Sequence, residues 1–125
     1  MDDGLDDWLE SCRRRLCPRY RLRCALVDIF RAGPGGFLSY PQAFEVGWNS
    51  HADEQHKRDY TECADKKSID DTMFHIKMEL LVYFANKPIR YNIARVRDLG
   101  WRLVRLAPAP PPAPPNPMMR RRDNR

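Results

Sequence analysis

Cys12, Cys17, Cys24 and Cys63, with His51, His56 and His75, are the side chains of this chain best suited to metal or redox chemistry. Their spacing fits no paired C-x2-C zinc pattern. On a continuous helix Cys12 and Cys17 are about 7.5 Å apart in rise and Cys17 and Cys24 about 10.5 Å. Both exceed what a bridge within one helix allows. A disulfide would therefore join separate segments, Cys63 with one of Cys12, Cys17 or Cys24; the alternative is reduced, half-buried thiols. His51 and His56, five residues apart, point roughly 140° apart around a helix and share no metal. Asp70 and Asp71 are adjacent acids, but neighbouring helical residues diverge by about 100°. No nucleophile elbow, HExxH, P-loop or dinucleotide fingerprint is present. The Gly33-Pro34-Gly35-Gly36 cluster follows no strand and precedes no Lys-Ser or Lys-Thr, so it reads as a turn. The expectation is a protein that is not an enzyme and carries no catalytic residue, cofactor or metal.

The other reactive groups are arginines. The formal net charge is +5, unevenly spread. The start is acidic (Asp2, Asp3, Asp6, Asp7, Glu10), then Arg13, Arg14, Arg15, Arg19, Arg21 and Arg23 follow. Arginine returns at Arg90, Arg95, Arg97, Arg102 and Arg105 and in the closing MMRRRDNR. Guanidinium groups suit phosphates, carboxylates and buried interfaces. The readings are phosphate binding, or a solvated helix face, or ion pairs to the acidic N-terminus and to acids of the middle helices.

The element that organises the rest is the stretch 68–86, SIDDTMFHIKMELLVYFAN. Ile69, Met73, Ile76, Leu80 and Phe84 recur at helical spacing, widened by Met78, Leu81 and Tyr83. Ser68 is the expected N-cap, with Asp70 and Asp71 in the first turn and Pro88 beyond the end. Leu5, Trp8, Leu9, Cys12 and Leu16 predict a first helix capped by Asp6 or Asp7. Pro18 starts a second helix or kinks a continuous one, and Leu22, Ala25, Leu26, Ile29 and Phe30 carry an apolar face to Arg31. Ser39 and Pro41 start a third helix from Tyr40 to about Lys66, with a weak middle at Gly47, Asn49 and Ser50. A further helix is expected from Pro88, with Ile89, Ile93, Val96 and Leu99 on one side and Gly100 as C-cap. Residues 101–106 read as one more helical turn or a short extended arm.

The expected fold is all-α, four to five helices in a small irregular bundle over residues 1–106, with an extended Pro-rich and Arg-rich tail over 107–125. No run reaches the roughly 18 apolar residues of a membrane span, and no signal peptide or Arg-rich presequence is visible. With about 100 foldable residues, the wide apolar face of 68–86 exceeds what the chain can cover. One side is expected against its own helices and the other against a neighbour.

Residues 53–63, DEQHKRDYTEC, followed by a charged helical stretch, resemble half of the motif of the coiled-coil-helix-coiled-coil-helix accessory subunits of mitochondrial complex I. Those helices carry C-x9-C, often with an aromatic three residues before the second cysteine, where Tyr60 and Cys63 stand here. Asp53 occupies the position of the first cysteine. Gln42 to Trp48 is similar to the aromatic-rich first helix of one such subunit. The resemblance implies import without a presequence, peripheral association with the inner mitochondrial membrane, and a non-catalytic accessory role in a respiratory-chain complex. Trp8, Trp48 and Trp101 would be anchors for other subunits of a large complex. Arg13, Arg14, Arg15, Arg102 and Arg105 would bridge to acidic neighbours or anionic lipid head groups. The alternative is a cytoplasmic nucleic-acid-associated or ribosomal accessory protein using the same arginines on phosphates.

Overall fold

The computed structural model describes residues 3–12 and 17–107. Arg13, Arg14, Arg15 and the Pro-rich and basic tail from Pro108 lie outside the described residues. The elements run α1 (Leu5–Glu10), α2 (Pro18–Ala32), β1 (Leu38–Ser39), α3 (Tyr40–Gly47), a single 3-10 turn (Asn49–His51), α4 (Glu62–Tyr83), β2 (Tyr91–Val96) and β3 (Gly100–Arg105). The all-α expectation is overturned. Helices dominate, but the last two elements and β1 form an antiparallel sheet in the order β1-β3-β2.

The segment 88–100 is where the helical reading fails. Ile89, Ile93, Val96 and Leu99 have helical spacing, yet Tyr91 and Ile93 also alternate, as do Trp101 and Leu103, and it is these four that are buried. β-branched and aromatic residues favour the pleated surface. The turn at Arg97–Leu99 closes the hairpin, with Arg97 at φ 43° and the Leu99 N–H donating to the Val96 carbonyl at 2.8 Å. Gly100 begins β3 rather than capping a helix. Its register places Ile93 opposite Leu103 and Arg95 opposite Trp101.

α4 is longer than its apolar pattern. It begins at Glu62, so Ser68 lies inside it and Asp70 and Asp71 are not in the first turn. The polar first turns are held by Asp65, which is buried and accepts from the Thr61 N–H at 2.9 Å and from both ends of the Arg58 fork. The inner stripe Ile69, Met73, Ile76, Leu80 and Phe84 is fully buried, as its spacing predicts. α1 is short. Gly4, at φ 77°, occupies its N-cap in place of Asp6 or Asp7.

α3 begins at the Ser39 capping box, in which the Ser39 hydroxyl accepts from the Gln42 N–H at 3.2 Å and the Gln42 side chain returns to the Ser39 N–H at 3.1 Å. It ends at Gly47 instead of continuing to Lys66. Arg21 terminates it by donating from Nε to the Val46 carbonyl at 3.2 Å and from Nη2 to the Gly47 carbonyl, the two carbonyls a helix end leaves open. Buried Asn49 then holds the following loop, donating from Nδ2 to Glu45 at 2.8 Å and to the Arg58 carbonyl at 2.7 Å. The core forms where α2, α3 and α4 meet the inner face of the hairpin, and its members include Leu22, Leu26, Val27, Phe44, Tyr91 and Ile93 together with the α4 stripe.

Candidate docking surface

α4 carries two apolar stripes. The inner one faces the core. Phe74, Met78 and Val82, at i, i+4 and i+8, form the outer one, and they are 56%, 46% and 74% exposed. A helix apolar on opposite sides is one built to be covered on both. The spacing 74, 78, 82 is the sequence signal of the second stripe; of the three, Met78 alone is expected at an edge of the inner face, and Phe74 and Val82 are not among the expected partner contacts.

Beside the outer stripe lies an open groove of about 570 Å³ between α1, the start of α2 and the second half of α4. Trp8, Cys12, Cys17, Met78, Val82 and Tyr83 contribute its apolar wall. Its charged wall is one acid held by two bases. Arg19 Nη1 donates to Glu79 Oε1 at 3.0 Å, and buried Arg23 donates from Nη2 to Glu79 Oε2. The Arg23 guanidinium also lies 4.6 Å from the centre of the Trp8 ring, a cation–π contact. The indole N–H of Trp8 and the Nε–H of Arg23 are buried and find no acceptor among the described residues. Two desolvated donors are a standing cost at this wall.

Of the three tryptophans expected as anchors, two are used inside the chain. Trp8 is buried beneath Arg23. Trp101 is buried on β3 and donates from Nε1 to Asp70 at 3.0 Å; Tyr40 OH donates to the same carboxylate oxygen at 2.6 Å. Burial, then the Asp70 carboxylate, raises the Tyr40 phenol above the ordinary tyrosine range, so it stays a neutral donor. Trp48 is half-buried and stacks on Phe44, with centroids 6.0 Å apart. Arg102 and Arg105 are exposed on β3. The remaining arginines of α2 serve internal partners: Arg21 on the end of α3, and Arg31 on Asp3 and Asp6 at 2.8 and 2.9 Å. Hydrogen bonding to Arg31 holds the Asp3 carboxyl below its usual range.

The expected bridge from Cys63 is not formed. Cys24 and Cys63 are free thiols; Cys63 is exposed in the first turn of α4, while Cys12 and Cys17 line the groove. His51, His56 and His75 are exposed. Among the described residues no three His, Cys, Asp or Glu side chains converge as a metal site. No helix is long and apolar enough to cross a membrane, over the described residues. Residues 53–61, which carry the complex I resemblance, form turns and loop rather than helix.

The Arg58–Asp65 pair makes a pH-dependent contribution that can be measured. Arg58 hydrogen bonding depresses the Asp65 pKa below its ordinary 3.8. A depressed carboxyl stabilises the fold above its unfolded pKa and loses that contribution as pH falls through the folded value. Asp65→Asn is expected to lower Tm by roughly 5 °C at neutral pH. The gap between variant and wild type should close below about pH 4. Thermal melts followed by circular dichroism across that range check it; a gap independent of pH would remove the ion pair from the account.

Neither a family model, nor a curated protein, nor a solved structure matches the chain.

Proposed function

We propose that this chain is a non-catalytic accessory protein that docks into a larger protein assembly through the outer stripe of α4. The observation that carries the reading is the exposed run Phe74, Met78 and Val82 on a helix whose opposite stripe is already buried. A ridge of side chains four residues apart fits the groove of a partner helix. The neighbouring groove supplies an apolar floor and the Arg19–Glu79–Arg23 cluster as a polar rim, the usual arrangement of a protein interface. The arginines of α2 support this over phosphate binding, since Arg19, Arg21, Arg23 and Arg31 are already engaged by Glu79, the end of α3 and the acidic N-terminus. The narrower assignment, a mitochondrial respiratory-chain complex such as complex I, rests on the short Tyr60–Cys63 resemblance alone.

The test is native co-purification of tagged wild type and of the Phe74→Asp, Val82→Asp double variant, with mass spectrometry of what each retains. The wild type should carry stoichiometric partner subunits, and in isolation it should self-associate. The double variant should lose the partners, by at least about tenfold in affinity, while keeping its Tm, because both side chains already face solvent. Equal retention by the variant would refute docking through this stripe. The retained subunits identify the assembly, and recovery of nucleic acid lost steeply with salt would favour the phosphate reading instead.

A further inference from the structure

β3 is an inner strand over only part of its length. On one side it pairs with β2 throughout. On the other, β1 pairs with Gly100 and Trp101 alone, through Ser39 and Leu38. Successive residues of an antiparallel strand direct their N–H and C=O to alternate sides. The Leu99 carbonyl accepts from the Tyr40 N–H, on the β1 side, and the Leu106 N–H donates to the Arg90 carbonyl, on the β2 side. Leu103 and Arg105 therefore direct their main-chain N–H and C=O past the end of β1. Among the described residues no main-chain hydrogen bond from the loop 33–37 reaches them.

That side of β3 borders a slot of about 410 Å³. Phe30 and the glycine-rich turn 33–36 form one wall, and residues 102–105 form the other. Glycines at 33, 35 and 36 put no side chain into it. Arg102 and Arg105 line it, both exposed and neither in an ion pair among the described residues. Being three apart on a strand, they point to opposite faces of the sheet.

We infer that this slot takes an extended acidic segment of a partner protein, which adds to the sheet as a strand against Leu103 and Arg105. Strand addition uses main-chain bonds for affinity and side chains for choice of partner. Here the choice is set by two guanidinium groups on opposite faces, which match acids three residues apart on the incoming strand. The chain's own tail is chemically unsuited. It continues as APAPPPAPPNP and MMRRRDNR; proline has no N–H to give a ladder, and arginine repels arginine. The carbonyl end of α2 at Ala32 faces the glycine turn and disfavours an anion there, so the acids belong at the β3 wall. This surface is separate from the α4 stripe, and the inference stands without that reading.

The experiment is amide hydrogen exchange on the full-length, isotopically labelled chain, titrated with the synthetic peptide Thr-Glu-Val-Thr-Glu-Val-Thr. Saturable slowing of the Leu103 and Arg105 amides by at least about tenfold is expected, with Arg102 and Val104, already bonded to β2, unchanged. A peptide with lysine for glutamate and one with an N-methylated main chain should both fail. Arg102→Glu with Arg105→Glu should weaken binding at least about tenfold. The lysine peptide tests the charge requirement on the unaltered protein should that variant not fold. Absent protection, or equal binding of either control peptide, overturns the inference. Equal protection by a single-stranded oligonucleotide overturns it in favour of phosphate recognition.

Discussion

Replacing Phe84 with alanine is expected to cost about 3–5 kcal/mol, the range for removing a buried aromatic ring. Phe84 is the last residue of the inner stripe and the first beyond α4, so it packs where helix, hairpin and N-terminal segment meet. Its ring stands edge-on to Tyr91 on β2 with centroids 5.0 Å apart, and Tyr91 meets Phe30 of α2 edge-on at 5.7 Å. The Tyr91 hydroxyl donates to the Asp3 carbonyl at 2.8 Å, and Gly4 sits so close that an added Cβ would lie 3.2 Å from the Phe84 ring. Removing the ring therefore unsettles α2, β2, α4 and the start of α1 together. A domain of this size has only about 5–15 kcal/mol in hand, so the variant should lose roughly 15–30 °C in Tm. Urea unfolding should show a lower midpoint with an unchanged slope. Leu99→Ala is the control: Leu99 is 57% exposed at the hairpin turn, and its loss should stay within about 0.5 kcal/mol. Comparable losses for the two would deny Phe84 its central place.

The parts of this fold legible in the sequence are those fixed by local chemistry. The inner stripe of α4 follows from its spacing, and the start of α3 follows from Ser39 and Pro41, an N-cap followed by proline in the first turn; Gln42 completes a capping box there. What was not legible depends on partners outside the element itself. The first turns of α4 have no apolar stripe and are held by Arg58 and Asp65 instead. The stop after Gly47 comes from Arg21, some 25 residues earlier. The hairpin was missed because Ile89, Ile93 and Val96 satisfy the helical period while Tyr91 and Ile93 satisfy the strand period, and a run this short does not separate the two. β1, two residues long, has no sequence pattern at all.

The same asymmetry applies to the surface. Arginine is abundant at both ends of the chain, and composition alone weighs all of it equally as a phosphate or partner contact. Packing divides it. Arg19, Arg21, Arg23 and Arg31 each find an internal acceptor, whereas Arg102 and Arg105 find none among the described residues. The tryptophans divide likewise: Trp8 and Trp101 serve the core, and the outward apolar residues of α4 are Phe74, Met78 and Val82. Had the hairpin been a helix, it would have offered a second apolar face to cover α4. As a sheet it covers only the inner side, which leaves the outer stripe open.

Gly100→Ala should be the most damaging single methyl in the molecule. A Cβ there would lie 2.1 Å from the Leu38 carbonyl oxygen and 2.8 Å from both the Leu38 carbonyl carbon and the Ser39 Cα. All three are main-chain atoms, so no rotamer relieves the contact, and β1 must move off β3. That movement breaks the pairing of Leu38 with Trp101 and the bond from the Tyr40 N–H to the Leu99 carbonyl at 3.2 Å. It also shifts Ser39 and Tyr40, on which the α3 cap and the Tyr40–Asp70–Trp101 cluster depend. The expected cost is about 3 kcal/mol, the upper end for an overpacked site. The Tyr40 and Trp101 amides should exchange faster, and near-ultraviolet circular dichroism from Trp101 should weaken. Gly36→Ala separates this from glycine loss in general: its Cβ would lie 2.9 Å from the Ile29 Cγ2, the end of a side chain that can turn away. It should cost less than half as much. Gly35→Ala meets nothing within 4 Å and pays only for its φ of 87°, about 1 kcal/mol. If all three variants lose the same stability, the close approach of β1 to β3 is not what fixes Gly100.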